Sequence, residues 1–283
     1  MNGLNSEASL SLLNAARALA PRIAAAGDQI EAERRLPEPL VGALVEAGLF
    51  KMLLPRSLGG GEADLLTFLQ VLEHVATADG SVGWCLAQNA GRAALVLRLL
   101  RPDVARRIFG DPRAIIANGT GASGRATEVE GGYSLEGEWP FASGCTHTTW
   151  LMGAAAVYGP DGEARRQANG APDTRMLLVP TFAARIVDTW QVSGLRGTGS
   201  HTVAVTGLFV PHDQTASPVR DRRAPAGPLD AIPDGLLFAA GFSAVTMGIA
   251  RGALDAFIAL AAVKKPRDAR RVLQEDAVVQ TEV

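Results

Sequence analysis

The sequence predicts an α+β multidomain protein with a helical N-terminal domain, a middle antiparallel β-barrel or sandwich domain, and an incomplete C-terminal helical bundle. Three observations support this order. Amphipathic, Ala- and Leu-rich segments fill the first third, short extended runs separated by glycines follow from Ala114 to Val210, and helical periodicity returns at Asp234. The predicted boundaries are 1–112 for the helical domain, 113–212 for the β domain, 213–232 for a linker and 233–283 for the bundle.

Local signals define the helices of the first domain. Pro21 interrupts the first helical segment, and Pro37 follows its end. Gly48 is predicted to stop the next helix, while Asp64 and Ser81 are predicted to cap the two after it. The predicted helices are Ser6–Ala32, Glu38–Ala47, one starting at Leu65, one starting at Val82, and Pro102–Phe109.

Glycine-rich turns divide the β domain into short strands. The pair Gly131-Gly132 between two extended runs is a hairpin signal. Four prolines and the charged run Arg220–Arg223 indicate a linker, after which helices are predicted over Asp234–Val263 and from Ala269 onward. The predicted strands are Ala114–Asn118, Ala126–Glu130, Tyr133–Ser143, Trp150–Tyr158, Arg175–Pro180, Ala184–Trp190 and His201–Val210.

Composition and charge restrict the class of protein. Hydrophobic residues make up 47% of the 283 and charged ones 20%, as in globular proteins, and the net charge of -2 argues against a general nucleic-acid surface. Cys85 and Cys145 lack metal-ligand spacing and predict reduced thiols in a cytoplasmic protein without a metal site. The start shows no signal-peptide pattern. The uncharged run Gly235–Ala250 is shorter than a membrane span, so we expect a buried helix and no membrane association.

The stretch after the hairpin has the residue types that a flat redox cofactor requires. Period-two alternation predicts that Trp139, Phe141 and Ser143 share one face of the chain. Two aromatic rings would supply an apolar wall, the hydroxyl a hydrogen-bonding group, and Gly144 a close backbone approach. Alternating aromatics also commonly line a core, so this pattern by itself leaves both interpretations open.

Three motifs, in this order and spacing, resemble the acyl-CoA dehydrogenase superfamily. They are Leu54-Pro55 with Gly59-Gly60-Gly61, Trp139-Pro140-Phe141-Ala142-Ser143-Gly144, and Gly194-Leu195-Arg196-Gly197-Thr198-Gly199-Ser200 before a strand ending Phe209-Val210-Pro211. The resemblance covers nearly the whole chain. It implies the α–β–α architecture and a bound flavin, FMN or FAD.

Two branches of the superfamily fit to different degrees. Dehydrogenases carry a Thr-Glu-Pro-x-Ala-Gly-Ser-Asp-like loop before the hairpin, whereas residues 118–126 here lack its Glu-Pro and Ser-Asp. The hairpin and the Trp-x-Phe-Ala-Ser-Gly-Cys run are more similar to the flavin-dependent monooxygenases. Members of that branch hydroxylate aromatic or polycyclic substrates with O2 and with reduced flavin from a separate reductase. Desaturation of an acyl thioester and an inactive flavin-binding scaffold remain the alternatives.

The resemblance also implies that the full-length form is a homotetramer and that the catalytic groups lie in the C-terminal bundle. The chain ends before those positions, so we expect a fragment or an incomplete enzyme, and no catalytic residue is assigned.

Individual site residues follow from the resemblance, each with an alternative structural role. Ser143 would hydrogen-bond the flavin near its N5–O4 edge, or else satisfy the backbone at a strand end. Phe141 and Trp139 would flank the ring, although Trp139 suits a core equally well. Asn118 would meet the pyrimidine edge or phosphate, or serve as a turn residue, and Trp190 would line the flavin pocket or only pack.

The remaining assignments lie in the helical regions. Trp84 and Asn89 would border the substrate cavity, although Asn89 need not face inward. Arg267, in a basic turn, would reach cofactor phosphates, often those of a neighbouring subunit. His147 is expected to be structural.

Overall fold

The computed structural model describes residues 7–121, 123–221, 229–267 and 271–282. Six helices form the N-terminal part, and a sheet, a long helix and a short helix follow, which confirms the α+β class. The N-terminal helices are α1 Glu7–Ala25, α2 Gly27–Glu33, α3 Glu38–Glu46, α4 Leu65–Ala78, α5 Gly80–Leu97 and α6 Pro102–Phe109.

The ends of these helices follow from their capping residues. Asp64 Oδ1 accepts a hydrogen bond from the Thr67 backbone N–H at 2.7 Å, and Gly48 has a φ of +72° just after α3. The prediction that Ser81 caps α5 is wrong. Asp79 caps it instead, accepting from the Val82 backbone N–H at 2.9 Å, because its carboxylate stands two residues earlier, where the helix begins.

In the described residues the β domain forms one mixed sheet of eight strands. Its order is β6-β7-β3-β2-β4-β5-β8, with β1 pairing on β4. The strands are β1 Ile116–Asn118, β2 Gly124–Val129, β3 Gly132–Ala142, β4 Trp150–Tyr158, β5 Thr174–Pro180, β6 Arg185–Val187, β7 His201–Pro211 and β8 Thr215–Ala216.

The expectation of an antiparallel sheet is wrong in one place. β1 and β2 both pair in parallel with β4, one along its first half and the other along its second half. They behave as a single strand interrupted by a loop. The Gly131-Gly132 hairpin does give an antiparallel β2–β3 pair, but a turn signal carries no information about the other neighbour of each strand.

Three predicted segments need correction. Only Arg185–Val187 of the expected strand Ala184–Trp190 is paired, and β8 lies inside the predicted linker. The start predicted for the last helix at Ala269 falls outside the described residues. After that gap a short 3-10 turn precedes α8, which spans Ala277–Glu282.

The predicted common face of Trp139, Phe141 and Ser143 is also wrong. The pairing of β3 with β7 shifts register between Trp139 and Ala142, and Phe141 has a φ of +59°. Trp139 is 1% exposed and Phe141 is 57% exposed, so they face opposite ways, and Ser143 lies beyond the end of the strand. An irregularity of this kind cancels period-two alternation.

Helix α7, Asp234–Val263, returns along the N-terminal helices and packs against α4 and α5. The expectation of a buried helix holds for one face of α7 only. Leu237, Ala244 and Val245 are buried, whereas Met247 and Ile258 are exposed. By length and composition alone α7 is apolar enough to cross a bilayer, a property it shares with core helices of soluble proteins.

Candidate functional site

A chain of buried hydroxyl groups lies where α5, the end of β3 and the loop before β7 meet. The Ser143 Oγ is 2.8 Å from the Ser200 Oγ, and Ser200 is 2.7 Å from the Thr198 Oγ1. The Thr198 hydroxyl donates to the Leu195 carbonyl at 2.9 Å, and the Trp84 indole N–H donates to the Ser143 Oγ at 3.1 Å. Ser143 is 6% exposed, so the helical domain and the β domain share this network in the protein interior.

The direction of these hydrogen bonds follows from the last acceptor. A carbonyl oxygen only accepts, so the Thr198 proton points to Leu195, and Thr198 must accept from Ser200. Ser200 has then used its proton and accepts from Ser143. The proton of Ser143 is therefore committed to Ser200. Since Trp84 occupies one lone pair of Ser143, the remaining capacity of this hydroxyl is that of an acceptor.

Asn89 holds the backbone at this position. Its side-chain amide is 1% exposed and donates to the carbonyls of Ile116 at 3.1 Å and Ser143 at 3.2 Å. Both amide protons are used, so within this chain Asn89 fixes the Ser143 peptide between α5 and β1 rather than facing an open cavity. Gly144 follows with a φ of +77°, and a Cβ there would lie 2.8 Å from both Asn89 and His147.

His147 is neutral and oriented. Because the Asn89 amide nitrogen is committed to two carbonyls, its oxygen faces the His147 Nε2 at 3.3 Å, and Nε2 carries the proton. Within the part of the chain that the structure describes, the Nδ1 is buried without a hydrogen-bond partner. Burial lowers the pKa of His147 to about 4.

Phe141 and Trp190 form an aromatic pair beside this network. Their ring centroids are 6.1 Å apart and the planes are nearly perpendicular. Trp190 is fixed by its indole N–H, which donates to the Leu195 carbonyl at 3.0 Å, while Phe141 extends outward at its positive φ. Leu195 therefore anchors both the aromatic pair and the hydroxyl chain.

A charged clamp behind Trp190 could not be recognised in the sequence. Arg34 makes two hydrogen bonds of 2.6 Å to the Asp188 carboxylate and a third, of 3.0 Å, to the Trp190 carbonyl. The His201 Nδ1 lies 3.3 Å from both Asp188 and the Trp190 backbone N–H. Arg34 and Asp188 are 154 residues apart, so no local pattern connects them.

The structure places two further predicted residues near the site. The ring of Trp84 stacks on Phe242 of α7, with centroids 4.6 Å apart and an interplanar angle of 17°. Asn118 ends β1 and donates to the Gly119 carbonyl at 2.9 Å, in the manner of a turn residue. Its loop reaches the end of β3 through a hydrogen bond of 2.8 Å from the Thr120 backbone N–H to the Pro140 carbonyl.

Two other predicted residues are not brought to the hydroxyl chain. Trp139 fills the core of the sheet, where its indole N–H donates to the Ala154 carbonyl and its ring lies on Gly124 and Gly153. Arg267 is an exposed turn residue beyond the end of α7. Between Phe242 and Val263 the helix rises about 30 Å, so within one chain Arg267 is far from Trp84.

Two further kinds of group could bring reactivity to the site: cysteine thiols and side chains that bind metal ions. Cys85 and Cys145 are free and buried, and burial raises the pKa of Cys145 to about 12. Among the described residues no three His, Cys, Asp or Glu side chains are grouped to hold a metal ion. The polar chemistry of the site is therefore that of hydroxyl, amide and indole groups between aromatic rings.

Comparison with known proteins identifies relatives of this chain. Residues 6–107 match the N-terminal domain of acyl-CoA dehydrogenases. The chain is 32% identical over 250 residues to the flavin-dependent monooxygenase oxygenase subunit HsaA of Rhodococcus jostii, covering 85% of this chain and 63% of that protein. It spans less than two thirds of the length of the curated relatives it matches most strongly.

Solved structures show the same architecture. XiaF from Streptomyces sp., in complex with FADH2 and glycerol, superposes with a TM-score of 0.86 at 26% identity, covering 97% of this chain and 69% of XiaF. The HsaA monooxygenase from M. tuberculosis gives a TM-score of 0.79 at 30% identity, covering 89% and 69%. The chain therefore belongs to the acyl-CoA dehydrogenase superfamily, in its branch of flavin-dependent monooxygenase oxygenase subunits.

Proposed function

We propose that the protein is the oxygenase component of a two-component monooxygenase, which hydroxylates a small aromatic substrate with O2 and with reduced flavin from a separate reductase. The observation that carries this proposal is the acceptor-only hydroxyl of Ser143 beside exposed aromatic surface. Reduced flavin bears an N–H at N5, whereas oxidised flavin has only a lone pair there. A hydroxyl that can only accept therefore suits the reduced form.

The residues present fit a flavin ring. Phe141 is held outward at a backbone conformation that costs free energy for a side chain of its size, which supports a role for its exposed ring. Trp84 and Trp190 add flat apolar surface, and Ser143 adds the acceptor. When bound, the flavin would supply the activation of oxygen; the chain would contribute binding, orientation and exclusion of water.

The proton chemistry at this place is limited to hydrogen bonding. Burial keeps His147 neutral at physiological pH, and the thiols are buried and protonated. Ser143 keeps its own proton and donates it in the hydrogen bond to Ser200. The described side chains of the site thus orient groups by donating and accepting hydrogen bonds, and no general base is assigned to them.

The relatives support the substrate class. They include a protein named the oxygenase component of p-hydroxyphenylacetate 3-hydroxylase from Acinetobacter baumannii and one named FADH(2)-dependent resorcinol hydroxylase, oxygenase component, from Rhizobium sp.. Both names describe aromatic substrates. The exposed apolar side chains of α7, such as Met247 and Ile258, support the further proposal that the protein is a homo-oligomer.

Anaerobic titration tests the flavin part of the proposal. FMN and FAD, each in the oxidised and the reduced state, would be added to the protein, and binding followed by fluorescence. We expect the reduced form to bind more tightly. Equal binding of the two redox states, or no binding of either, would contradict the proposal.

A product assay tests the reaction. The protein would be mixed aerobically with a flavin reductase, NADH, flavin and a panel of phenols, and hydroxylated products identified by mass spectrometry. An acyl-CoA panel with an artificial electron acceptor serves as the comparison. Turnover of acyl-CoA without hydroxylation of any phenol would favour the dehydrogenase alternative.

A further inference from the structure

A cavity of about 260 Å³ lies between α5, β5 and the start of α7. On α5, the partly buried residues Trp84, Gln88 and Arg92 follow one another at a spacing of four residues, and of these three Arg92 lines the cavity. The cavity lies at the Arg92 end of this row. Its lining residues are Arg92, Leu95, Arg98, Leu99, Met176, Pro218, Asp234 and Phe238.

Arg92 brings a positive charge and a buried hydrogen-bond donor to this cavity. Its Nε is buried and has no hydrogen-bond partner in the described part of the chain, and its guanidinium carbon lies 4.7 Å from the centre of the Phe238 ring. Burial lowers the pKa of Arg92 to about 10, so the group remains charged at neutral pH. A buried guanidinium with an open donor is costly unless something accepts its hydrogen bonds.

The nearby carboxylate is already engaged. Asp234 accepts a hydrogen bond of 2.6 Å from Arg98, whose guanidinium also donates to the carbonyls of Leu229 and Ile232. Asp234 therefore acts on both guanidinium groups, and in the described residues the Nε of Arg92 is left with a hydrogen bond to donate.

A wall of aromatic rings joins the cavity to Ser143. Phe238 lies 6.0 Å from Phe242, and Phe242 stacks on Trp84 at 4.6 Å. The indole of Trp84 donates to Ser143. An aromatic ligand along this wall would therefore have one end at Arg92 and the other toward the candidate flavin site.

We propose that the substrate is a one-ring aromatic acid and that Arg92 binds its carboxylate. A guanidinium matches a carboxylate with two parallel hydrogen bonds. The cavity volume is just below the range of about 300–1,000 Å³ of typical ligand pockets, which suits one ring better than a polycyclic ligand. This inference rests on the proposed function and adds the substrate class to it.

Calorimetric titration of the protein, without flavin, tests the proposal. The two probes are 4-hydroxybenzoate and its neutral, nearly isosteric analogue 4-hydroxybenzamide. We expect the acid to bind about ten- to a hundredfold more tightly than the amide, since a hydrogen bond to a charged group is worth that much in affinity. Arg92→Met should abolish this preference while leaving amide binding unchanged. Arg92→Lys should keep a weaker preference, because its charge remains but the paired geometry is lost.

Arg106→Met is the matched control, because Arg106 is exposed on α6 and outside the cavity; it should retain the full preference. If the wild-type protein binds acid and amide equally, the proposal is refuted. The proposal is also refuted if Arg92→Met keeps the preference for the acid, whether or not its melting temperature falls. A lower melting temperature with an unchanged preference is the result expected for a residue that only packs against Phe238. If Arg92→Met does not fold, the titrations of the wild-type protein and of Arg92→Lys still test whether Arg92 causes the preference for the acid.

Failure of this inference is distinguishable from failure of the proposed function. Tight binding of reduced flavin with no preference for the acid would refute only the role of Arg92. Preference for the acid without binding of flavin would refute the monooxygenase proposal and leave an anion-selective aromatic cavity.

Discussion

Removal of the Ser143 hydroxyl is the sharpest perturbation of the site. Ser143→Ala deletes two hydrogen bonds, one from the Trp84 indole and one to Ser200. Trp84 is only partly buried, so water can replace its lost acceptor, and Ser200 keeps its bond to Thr198. We expect a loss of about 1–2 kcal/mol in the free energy of unfolding, which lowers the melting temperature by a few degrees.

The same substitution should weaken binding of reduced flavin more than that of oxidised flavin. An N–H donor at the flavin edge loses its acceptor, which corresponds to about 1–2 kcal/mol, or roughly a five- to thirtyfold loss of affinity. Oxidised flavin, which presents a lone pair, should bind Ser143→Ala about as weakly as it binds the wild-type protein. Ser243→Ala on the exposed side of α7 is a control that should change neither affinity nor stability.

Ser200→Ala tests the direction of the hydrogen bond between Ser143 and Ser200, because it removes the acceptor of the Ser143 proton but keeps the Ser143 hydroxyl. Without Ser200, the Ser143 proton is no longer committed and can be donated to oxidised flavin. The preference for reduced over oxidised flavin should therefore shrink, although Ser143 is still present. Anaerobic fluorescence titration of the three variants in both redox states measures this. Two results would show that the donor and acceptor directions derived for these hydroxyl groups are incorrect. One is that Ser143→Ala binds reduced flavin as the wild-type protein does, and the other is that Ser200→Ala increases the preference for reduced flavin.

Three further predictions follow from burial and protonation. Trp139→Ala should cost about 3–5 kcal/mol of stability in a denaturant titration, whereas Phe141→Ala should cost less than about 1 kcal/mol yet weaken flavin binding. The folded pKa of His147 is depressed to about 4 from 6.5, so the unfolded chain protonates first and stability should fall as the pH drops from about 6.5 to 4. His147→Gln should remove about 3 kcal/mol of that loss in melts across this range, since each pKa unit corresponds to about 1.4 kcal/mol; an unchanged pH profile would exclude His147 as its origin. Cys85 and Cys145 should react with a thiol reagent such as Ellman's only on unfolding, and stoichiometric labelling of the native protein would contradict their burial.

Local sequence signals predicted the helical regions well because capping is a local interaction. Asp64 and Gly48 mark helix ends through contacts within a few residues. The Gly131-Gly132 pair likewise gives a tight antiparallel hairpin. The parallel pairing with β4 depends on strand neighbours that are distant in sequence, which explains why it was not predicted.

The prediction that Trp139 and Phe141 lie on one face was wrong because of a single irregularity in β3. Alternation would give Trp139 and Phe141 the same face, but the register shift and the positive φ of Phe141 turn one ring into the sheet core and the other toward solvent. The glycines under Trp139, at positions 124 and 153, lie in other strands, and only the folded sheet shows that they make room for its ring. The residue types allowed Trp139 to be either a core residue or a cofactor contact, and only the folded sheet shows that it is buried while Phe141 faces outward.

The loop Gly194–Ser200 determines the chemistry of Ser143 from a distance of more than 50 residues. Leu195 has a φ of +53°, a conformation that is unfavourable for leucine, and in it the carbonyl accepts from the Trp190 indole, the Thr198 hydroxyl and the Thr198 backbone N–H. Because that carbonyl cannot donate, every hydroxyl between it and Ser143 has a fixed orientation. The four described non-glycine residues with positive φ are Arg34, Glu62, Phe141 and Leu195, and three of them contact Trp190. Strain that is concentrated around one aromatic side chain and one hydrogen-bond acceptor is typical of a preorganised binding site, and it supports the assignment of this loop and the end of β3 to a single site.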